Sequence, residues 1–223
     1  MNNISVAIDG PAGAGKSTVA KEVAKKMDLL YIDTGAMYRA VTFLVLEKGL
    51  DPTQEQEIIH IANNTTFDFS KDGTQIFVNG KNRSLEIRSP KVSDNVSLIS
   101  KIGSLRKVLV KAQRKLAENH NVIMDGRDIG THVLPDADLK VYLTASVEER
   151  AKRRFEELQE TSDGDGVSFE NVKKNILLRD KIDSSREQAP LVKAEDALEI
   201  DTTKLTTAQV IEEVVRLIKG VRS

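Results

Sequence analysis

The sequence contains no cysteine, which excludes disulfide bonds, thiol catalysis and zinc sites built on cysteine. Only three histidines occur, and their positions, His60, His120 and His132, lack the spacing of a metal site. Lys and Arg number 33 against 34 Asp and Glu, so no charge excess favours a nucleic-acid partner. The chain also lacks an apolar run of about 18 residues, the length that a membrane span needs. We therefore expect a cytoplasmic protein that binds neither nucleic acid nor membrane.

A phosphate-binding loop is the clearest pattern that the sequence does contain. Residues 10–17 read Gly-Pro-Ala-Gly-Ala-Gly-Lys-Ser, which fits G-x-x-x-x-G-K-[ST] at every fixed position. A short apolar run at 4–8 precedes the loop, and apolar residues at helical spacing follow it. In that context Lys16 reaches the β- and γ-phosphates of a nucleotide and the Ser17 hydroxyl binds Mg²⁺. The alternative is a glycine-rich turn with a chance Lys-Ser; we favour a nucleoside triphosphate site.

Short apolar runs alternate with helical patterns along most of the chain. Further strands are predicted at 29–32, 122–125, 139–143 and 197–200. Alternating strands and helices are typical of right-handed β-α-β units around a parallel sheet. We therefore expect an α/β protein with the three-layer P-loop fold and a five-stranded parallel sheet.

Helix-end signals support these predicted boundaries. Gly49 is typical of the position just after a helix. Ser146 with Glu149, and Thr206 with Gln209, have the spacing of a capping box. We expect one helix to end near Gly49 and two others to begin at these pairs.

The segment 34–100 differs in character from the rest of the chain. Residues 65–69 and 74–78 alternate with period two around a short polar turn, which predicts a β hairpin. A further turn at Asn79-Gly80 follows directly. We interpret this segment as a substrate-side lobe that carries a small β insert.

The predicted organisation is a core with one lobe and one lid. The core comprises 1–33 and 101–223, and the lobe comprises 34–100. A polar, glycine-containing break within about 155–170 lies between two helical patterns and favours the hinge of a lid. A calcium loop is rejected there because Val167 occupies a ligand position.

Polar residues follow the predicted strand at 29–32. Residues 33–36 read Asp-Thr-Gly-Ala, which also matches the aspartic-protease signature, but that mechanism needs two such carboxylates and the chain has one copy. A second alternative is an Asp that only caps the next helix. We favour a third interpretation, in which Thr34 and Arg39 face the acceptor of a phosphoryl group.

A second polar stretch follows the predicted strand at 122–125. Residues 125–128 read Asp-Gly-Arg-Asp. Asp125 at a strand end beside a P-loop can orient Mg²⁺ or its waters, and Arg127 offers a planar fork for phosphate. The alternative is a surface turn with an Arg–Asp ion pair.

Two predicted helices carry arginine groups whose role the pattern leaves open. Arg150, Arg153 and Arg154 are either surface charges or ligands of a nucleotide. The basic face of the long helix predicted around 102–116, which includes Arg106, is interpreted as solvated.

A third group lies near the C-terminal end of another predicted helix. Arg179, Asp183 and Arg186 recur at spacings that put them on one helical face. They form either a stabilising ion pair or a row of groups that faces a sugar phosphate.

In combination these motifs resemble the bacterial cytidylate (CMP/dCMP) kinases, a family of nucleoside-monophosphate (NMP) kinases. The resemblance rests on the stretches 8–18, 33–39, 125–131 and 186–191, which occur in the family's order and at its spacing. The β insert also fits the family. Thr34 stands where the family often has Ser, which keeps the hydroxyl group.

The resemblance implies transfer of a phosphoryl group from ATP to CMP and dCMP, with Mg²⁺, by a monomer. Its core, NMP-binding lobe and lid would bring the two nucleotides together. Three residues would be catalytic, namely Lys16, Arg127 and Arg186. The residues implied in ATP binding are Gly10, Pro11, Ala12, Gly13, Ala14, Gly15, Lys16, Ser17, Thr18, Arg150 and Arg154. Mg²⁺ would be held by Ser17, with Asp125 acting through water.

The resemblance also divides the implied CMP site into three parts. The phosphate would be held by Arg39, Arg127 and Arg186, with Thr34 close by. Cytosine would be read by Ser97, Arg106 and Asp128. The ribose would be held by Arg179 and Asp183.

Two rival functions remain at this point. One is a P-loop kinase for another small acceptor, such as AMP, shikimate or dephospho-coenzyme A. The other is a nucleotide-dependent switch protein, although the chain has no Asn-Lys-x-Asp motif for reading guanine.

Overall fold

The computed structural model describes residues 3–51, 53–70, 72–118, 120–160 and 167–221. Within these ranges the strands are β1 (Ser5–Asp9), β2 (Leu30–Asp33), β3 (Phe67–Phe69), β4 (Ile76–Val78), β5 (Lys81–Asn82), β6 (Val122–Asp125), β7 (Leu139–Thr144) and β8 (Leu198–Asp201). The α-helices are α1 (Lys16–Met27), α2 (Thr34–Glu47), α3 (Glu55–Asn63), α4 (Pro90–Ile99), α5 (Gly103–Ala117), α6 (Val147–Gln159), α7 (Phe169–Ser184) and α8 (Thr207–Val221).

Five parallel strands form the central sheet in the order β2-β6-β1-β7-β8. β1 lies in the middle, and its side chains are buried on both faces because helices cover both. Val6 and Ile8 face α1 and α8, whereas Ala7 faces α5 and a π-helical turn at Ile129–Val133. The predicted three-layer α/β fold with a five-stranded parallel sheet is therefore confirmed.

A three-stranded antiparallel sheet, β3-β4-β5, forms the predicted β insert. Its two turns are of the kind that glycine favours, since Gly73 has φ +63° and Asn79 and Gly80 have φ +51° and +74°. The hairpin prediction is confirmed. The helix α4 and a 3₁₀ turn at Glu86–Arg88 were not predicted from the sequence.

A second hydrophobic core joins α2, α3, α4 and the insert to α5. Met37, Val41, Ile58 and Leu105 are fully buried in it. Because α5 also packs on the central sheet, it connects the two cores. This packing holds the start of α2 against the carboxyl edge of the sheet.

α6 and α7 pack against each other beside the sheet. Ala151, Val172 and Ile176 form their buried core, and the Phe155 and Phe169 rings meet edge to face at 6.1 Å. The expected lid at about 155–170 falls at the far ends of these helices, and its centre at 161–166 lies outside the described residues.

Of the two predicted capping boxes, one is present in full and the other only in part. Thr206 and Gln209 form the reciprocal capping box as expected. At Ser146 the prediction is half wrong, because its Oγ accepts the Glu149 N–H but the Glu149 carboxylate pairs with Arg153 instead of turning back. The Ser146 N–H donates to Thr203 Oγ1 at 3.0 Å instead, so the second bond of the box is not formed. In the described part of the chain, no helix is long and apolar enough to cross a membrane.

Candidate functional site

The loop between β1 and α1 passes so close to its neighbours that side chains are excluded. A Cβ on Gly10 would lie 2.0 Å from the Leu143 carbonyl oxygen, and one on Gly13 would lie 2.9 Å from the Arg150 carbonyl oxygen. Gly10, Gly13 and Gly15 also have positive φ. The loop therefore needs glycine at all three positions for its curvature, and at Gly10 and Gly13 also for its packing. The resulting cradle of backbone groups ahead of a helix N-terminus suits a phosphate.

Lys16 begins α1 and is buried beneath this loop. Its Nζ donates a hydrogen bond to the Pro11 carbonyl at 2.7 Å. Burial lowers the pKa of Lys16 well below its usual value, and the nearby Arg127 charge acts in the same direction. A buried ammonium with one carbonyl partner is poorly compensated, so an anion in the loop would stabilise it.

Asp125 is the centre of a hydroxyl network at the end of β6. Its carboxylate accepts from Ser17 Oγ at 2.9 Å and from Tyr31 OH at 2.7 Å, and its backbone carbonyl accepts from Thr34 Oγ1 at 2.7 Å. Burial and the neighbouring Asp33 charge raise the pKa of Asp125. Ser17 and Asp125 thus supply adjacent oxygen atoms, the ligand type that Mg²⁺ prefers. Among the described residues no cluster of three or more acidic or histidine side chains could hold a metal by itself.

Asp33 ends β2 beside Asp125 and fixes the first turn of α2. It accepts the Ala36 N–H at 2.8 Å and forms an ion pair with Arg39 at 2.7 Å. Burial opposes its ionisation, but Arg39 and the Ala36 N–H hold the pKa of Asp33 below its usual range. The helix-cap interpretation is correct for Asp33, and it also places Arg39 at the site. Thr34 faces Asp125 as described above.

Asp128 and Arg106 form a buried ion pair with 2.6 Å between Arg106 Nη2 and Asp128 Oδ2. The sequence analysis expected a solvated face for this helix, and for Arg106 that expectation is wrong. The side chain turns inward, lies 5.3 Å from the Tyr38 ring centre and donates to the Ser100 carbonyl at 3.3 Å. Its Nε atom is buried without a hydrogen-bond partner among the described residues. The Arg106 Nε–H can therefore still donate to a ligand.

The Asp183 carboxylate accepts hydrogen bonds from two arginines of different segments. Arg127 Nε donates to one carboxylate oxygen at 2.8 Å, and Arg186 Nη2 donates to the other. Although burial opposes ionisation, these two charges lower the pKa of Asp183. Arg186 lies beyond the end of α7, so the prediction of one helical face holds only for Arg179 and Asp183. The simple Arg179–Asp183 ion pair is not formed, since Asp183 is taken by the other two arginines.

Arg179 has no hydrogen bond or ion pair with any other residue that the structure describes. Burial lowers its pKa to about 10, and the charges of Arg127, Arg39 and Arg154 contribute. Arg179 therefore stays protonated at neutral pH within a group of arginines that has too few carboxylates. Such a group suits an anion.

Ser97 lies in the last turn of α4 and is half-buried. Its carbonyl accepts from Ser100 Oγ at 3.1 Å, and Arg186 Nη2 donates to Ser100 Oγ at 3.2 Å. The structure thus links Ser100, which the sequence analysis did not single out, to the arginine network. No local pattern marks Ser100.

The three arginines of α6 have three different environments. Arg150 is buried and donates to the Ala12 carbonyl at 3.1 Å and to Asp180 at 2.6 Å, so it ties α7 to the P-loop. Arg154 is exposed and pairs with Glu157 at 3.0 Å. Arg150 thus contacts the P-loop, whereas Arg154 is exposed and its charge acts on Arg179.

Arg153 lies at the P-loop although it was not assigned a binding role. It donates to Thr202 Oγ1 at 3.0 Å and to the Thr202 carbonyl at 2.7 Å. A groove of about 280 Å³ opens beside it and leads to Gly15 and Thr18. The other side chains that line this groove include Glu156, Glu157, Glu160, Leu205 and Val210.

Asp9 is a further residue that the sequence analysis missed. Its carboxylate accepts the Ile129 and Gly130 N–H groups at 2.8 and 2.7 Å, so it fixes the turn directly after Asp128. Burial raises its pKa to about 6 despite these two donors. An available signal was its position: like Asp125, it is a carboxylate at the end of an apolar strand.

The fold and this site together define a P-loop nucleotide-binding protein of the small-kinase type, with a group of arginines beside the phosphate loop. The sequence model of the family described as "Cytidylate kinase" matches residues 6–220. The chain belongs to the cytidylate kinase family.

Individual relatives agree with this family. A cytidylate kinase of Alkaliphilus oremlandii is 52% identical over 99% of this chain and 100% of its own length. One of Clostridioides difficile is 53% identical over 96% of this chain and 98% of its own. A crystal structure of an uncharacterized protein from Eubacterium ventriosum has a TM-score of 0.54 at 13% identity and covers 98% of this chain and 99% of that chain. This last likeness concerns the fold alone.

Proposed function

We propose that this protein transfers the γ-phosphoryl group of ATP to CMP and dCMP and releases ADP with CDP or dCDP. Membership of the cytidylate kinase family supports the reaction class. The observation that carries the proposal is the arginine group around Asp183, where Arg127, Arg179 and Arg186 exceed the available negative charge. The phosphate of a nucleoside monophosphate supplies the missing anion.

The P-loop side would hold the donor. Residues 10–18 surround the phosphates, and Lys16 moves from the Pro11 carbonyl to the β- and γ-phosphate oxygens. Ser17 and Asp125 would bind Mg²⁺, Asp125 through water, and the ion when bound neutralises charge on the phosphates. The groove beside Arg153 has the position and size to take the donor's base or ribose.

The opposite side would hold the acceptor. Arg39, Arg127 and Arg186 bind its phosphate, with Thr34 close by, and an acceptor phosphate oxygen attacks the γ-phosphorus as the bond to the leaving ADP breaks. This reaction needs positioning and charge stabilisation more than covalent chemistry from the protein. Lys16, Arg127 and Arg186 are therefore the proposed catalytic residues. Arg150 holds α7 at the P-loop so that both nucleotide sites stay in register.

The Arg106–Asp128 pair would read cytosine. A carboxylate accepts from the N4 amino group, and a guanidinium donates to N3 and O2. The unpartnered Arg106 Nε supports this role, because a buried donor without a partner gains most from a ligand acceptor. Ser97 would add a contact to the base, and Arg179 with Asp183 would hold the ribose.

The domain assignment belongs to the same proposal. Residues 34–100 would form the NMP-binding lobe, and the ends of α6 and α7 would form a lid that excludes water and prevents hydrolysis of ATP. The protein is proposed to act as a monomer. A cytoplasmic location and a role in pyrimidine nucleotide metabolism are part of the same proposal, and neither nucleic acid nor membrane is a proposed partner.

The test is an acceptor panel with ATP and Mg²⁺. ADP formation is followed with CMP, dCMP, UMP, AMP and shikimate as acceptors. We expect rapid ADP formation with CMP and dCMP and a product one phosphate larger. Faster turnover of AMP or shikimate, or no acceptor-dependent ADP with any of them, would overturn the proposal.

A further inference from the structure

The β insert contacts the central sheet at one specific place. Its first turn presses the backbone of Gly73 against the ring of Tyr31 in β2, the edge strand of the sheet. A Cβ at Gly73 would lie 2.3 Å from Tyr31 Cδ1 and 2.8 Å from Tyr31 Cβ. Only a residue without a side chain fits between them.

Hydrogen bonds link the described residues on either side of Gly73. The Asp72 carboxylate accepts from Ser70 Oγ at 2.5 Å and from Thr74 Oγ1 at 2.9 Å, and the Gly73 N–H donates to the Ser70 carbonyl at 2.8 Å. Side-chain hydrogen bonds of this kind stabilise the backbone of a turn. Gly73 is thus a firm support for the Tyr31 ring.

Tyr31 is completely buried, and its hydroxyl reaches the site. The hydroxyl donates to one oxygen of Asp125, while Ser17 Oγ donates to the other. A continuous series of contacts therefore runs from the insert to Ser17 of the P-loop.

We propose that Tyr31 is a positioning residue for Asp125, and that the β insert holds Tyr31 in place through Gly73. The proposal rests on the proposed function, in which Ser17 and Asp125 serve the Mg²⁺–nucleotide complex. With Tyr31 fixed, the Asp125 carboxylate has one orientation and the Ser17 hydroxyl keeps its place. Outer groups that orient metal-site oxygens typically contribute 10- to 100-fold to metal affinity or activity.

The experiment compares Tyr31→Phe, Gly73→Ala and Gly80→Ala with the unmodified protein. Gly80 is the matched control: it has φ +74°, close to the +63° of Gly73, but nothing lies within 4 Å of a Cβ placed there. Both glycine substitutions strain a turn, and only one of them displaces Tyr31. The double variant Tyr31→Phe/Gly73→Ala tests whether the two changes act along one path.

Calorimetry of ADP binding with and without Mg²⁺ gives a readout that does not depend on turnover. We expect the factor by which Mg²⁺ raises the affinity for ADP to be about tenfold smaller in Tyr31→Phe than in the unmodified protein. The affinity for ADP without Mg²⁺ should stay unchanged. Gly73→Ala should lose a similar factor, Gly80→Ala should lose none, and the double variant should lose no more than Tyr31→Phe alone.

Kinetics provides the second readout. We expect kcat to fall and the Mg²⁺ requirement to rise in Tyr31→Phe, while KM for CMP stays the same. A Tyr31→Phe protein with the original Mg²⁺ dependence would overturn the proposal, even if Gly73→Ala fails to fold. If Gly73→Ala and Gly80→Ala lose equal factors of Mg²⁺-dependent affinity, the β insert does not hold Tyr31 in place. An unmodified protein without CMP-dependent ADP formation would refute the proposed function instead, and calorimetry would still decide the role of Tyr31.

Discussion

Asp33 and Asp125 face each other across the β2–β6 ladder and have opposite pKa shifts. Asp33 has a guanidinium partner in Arg39, which lowers its pKa. Among the described residues, the Asp125 carboxylate accepts from hydroxyl groups alone, and burial and the Asp33 charge raise its pKa. Two adjacent carboxylates with different partners suit two different tasks. Asp33 orients Arg39, whereas the Asp125 carboxylate is available to a cation.

The first prediction concerns Lys16. Lys16→Ala should lower kcat at least ~100-fold, because it removes one strong donor to the charge that develops on the phosphates. Circular dichroism should show an unchanged fold. Lys25→Ala, an exposed position on the same helix, is the control and should keep full activity. A folded Lys16→Ala protein with near-normal kcat would remove Lys16 from the mechanism.

Base selection can be tested at Asp128. Uracil presents an O4 acceptor where cytosine presents the N4 amino group, so a carboxylate at this point rejects UMP. Asp128→Asn should lower the CMP:UMP ratio of kcat/KM by at least about tenfold, since the amide can offer its NH₂ to O4. The exposed Asp136→Asn is a charge-matched control. If the ratio survives in Asp128→Asn, Asp128 does not read the base.

A pH-dependent stability difference is expected from Asp9. Its folded-state pKa is raised from 3.8 to about 6, so the folded protein binds this proton more tightly than the unfolded chain does. The associated stability is present below about pH 4 and is lost as the pH rises through 6. The change amounts to about 3 kcal/mol for a shift of roughly two pKa units.

Urea unfolding of the wild type and Asp9→Asn between pH 4 and pH 7 measures this effect. The wild type should lose stability relative to Asp9→Asn as the pH rises. Asp138→Asn is the control, because Asp138 also accepts a backbone N–H from β1, at Ser5, but is exposed. A constant difference between the wild type and Asp9→Asn across this range would contradict the raised pKa.

The P-loop glycines are predicted to differ from other glycines in their effect on stability. Gly10→Ala combines positive φ with a Cβ 2.0 Å from a backbone oxygen, and it should cost at least ~3 kcal/mol in unfolding free energy. Gly49→Ala also has positive φ but meets open space, so it should cost only about 1 kcal/mol. Thermal and urea unfolding of both variants measure these losses of unfolding free energy. Similar losses would show that backbone strain alone is involved.

The features that were predictable from the sequence depend on near neighbours in the chain. The P-loop, the parallel strands and the hairpin each follow from a local pattern, and each is present. Arg106 shows the limit of that reasoning. Its helix has the charge pattern of a solvated face, but Asp128 and Tyr38, both distant in sequence, draw the side chain inward. Only the assembled fold creates that environment.

The same limit explains the residues that were missed. Tyr31 looks like an ordinary strand residue until its hydroxyl meets Asp125, and Ser100 has no local signature. At Ser146 the local capping rule was outweighed by Thr203, a residue distant in sequence whose hydroxyl oxygen accepts the Ser146 N–H. Contacts between distant segments set these outcomes, and hydrophobic periodicity carries no information about them.

The pairing of β2 with β6 has a consequence for how this chain tolerates change. The backbone leaves the sheet at Asp33, the carboxyl end of β2, and re-enters it at Val122, the amino end of the adjacent strand β6, so both ends of the intervening segment are fixed in neighbouring strands. The entropy of closing such an excursion grows only slowly with its length. Residues can therefore be gained or lost at an outer turn such as Asn79-Gly80 while the ladder of the sheet stays intact. The acceptor side is free to diversify in size around an unchanged phosphate loop.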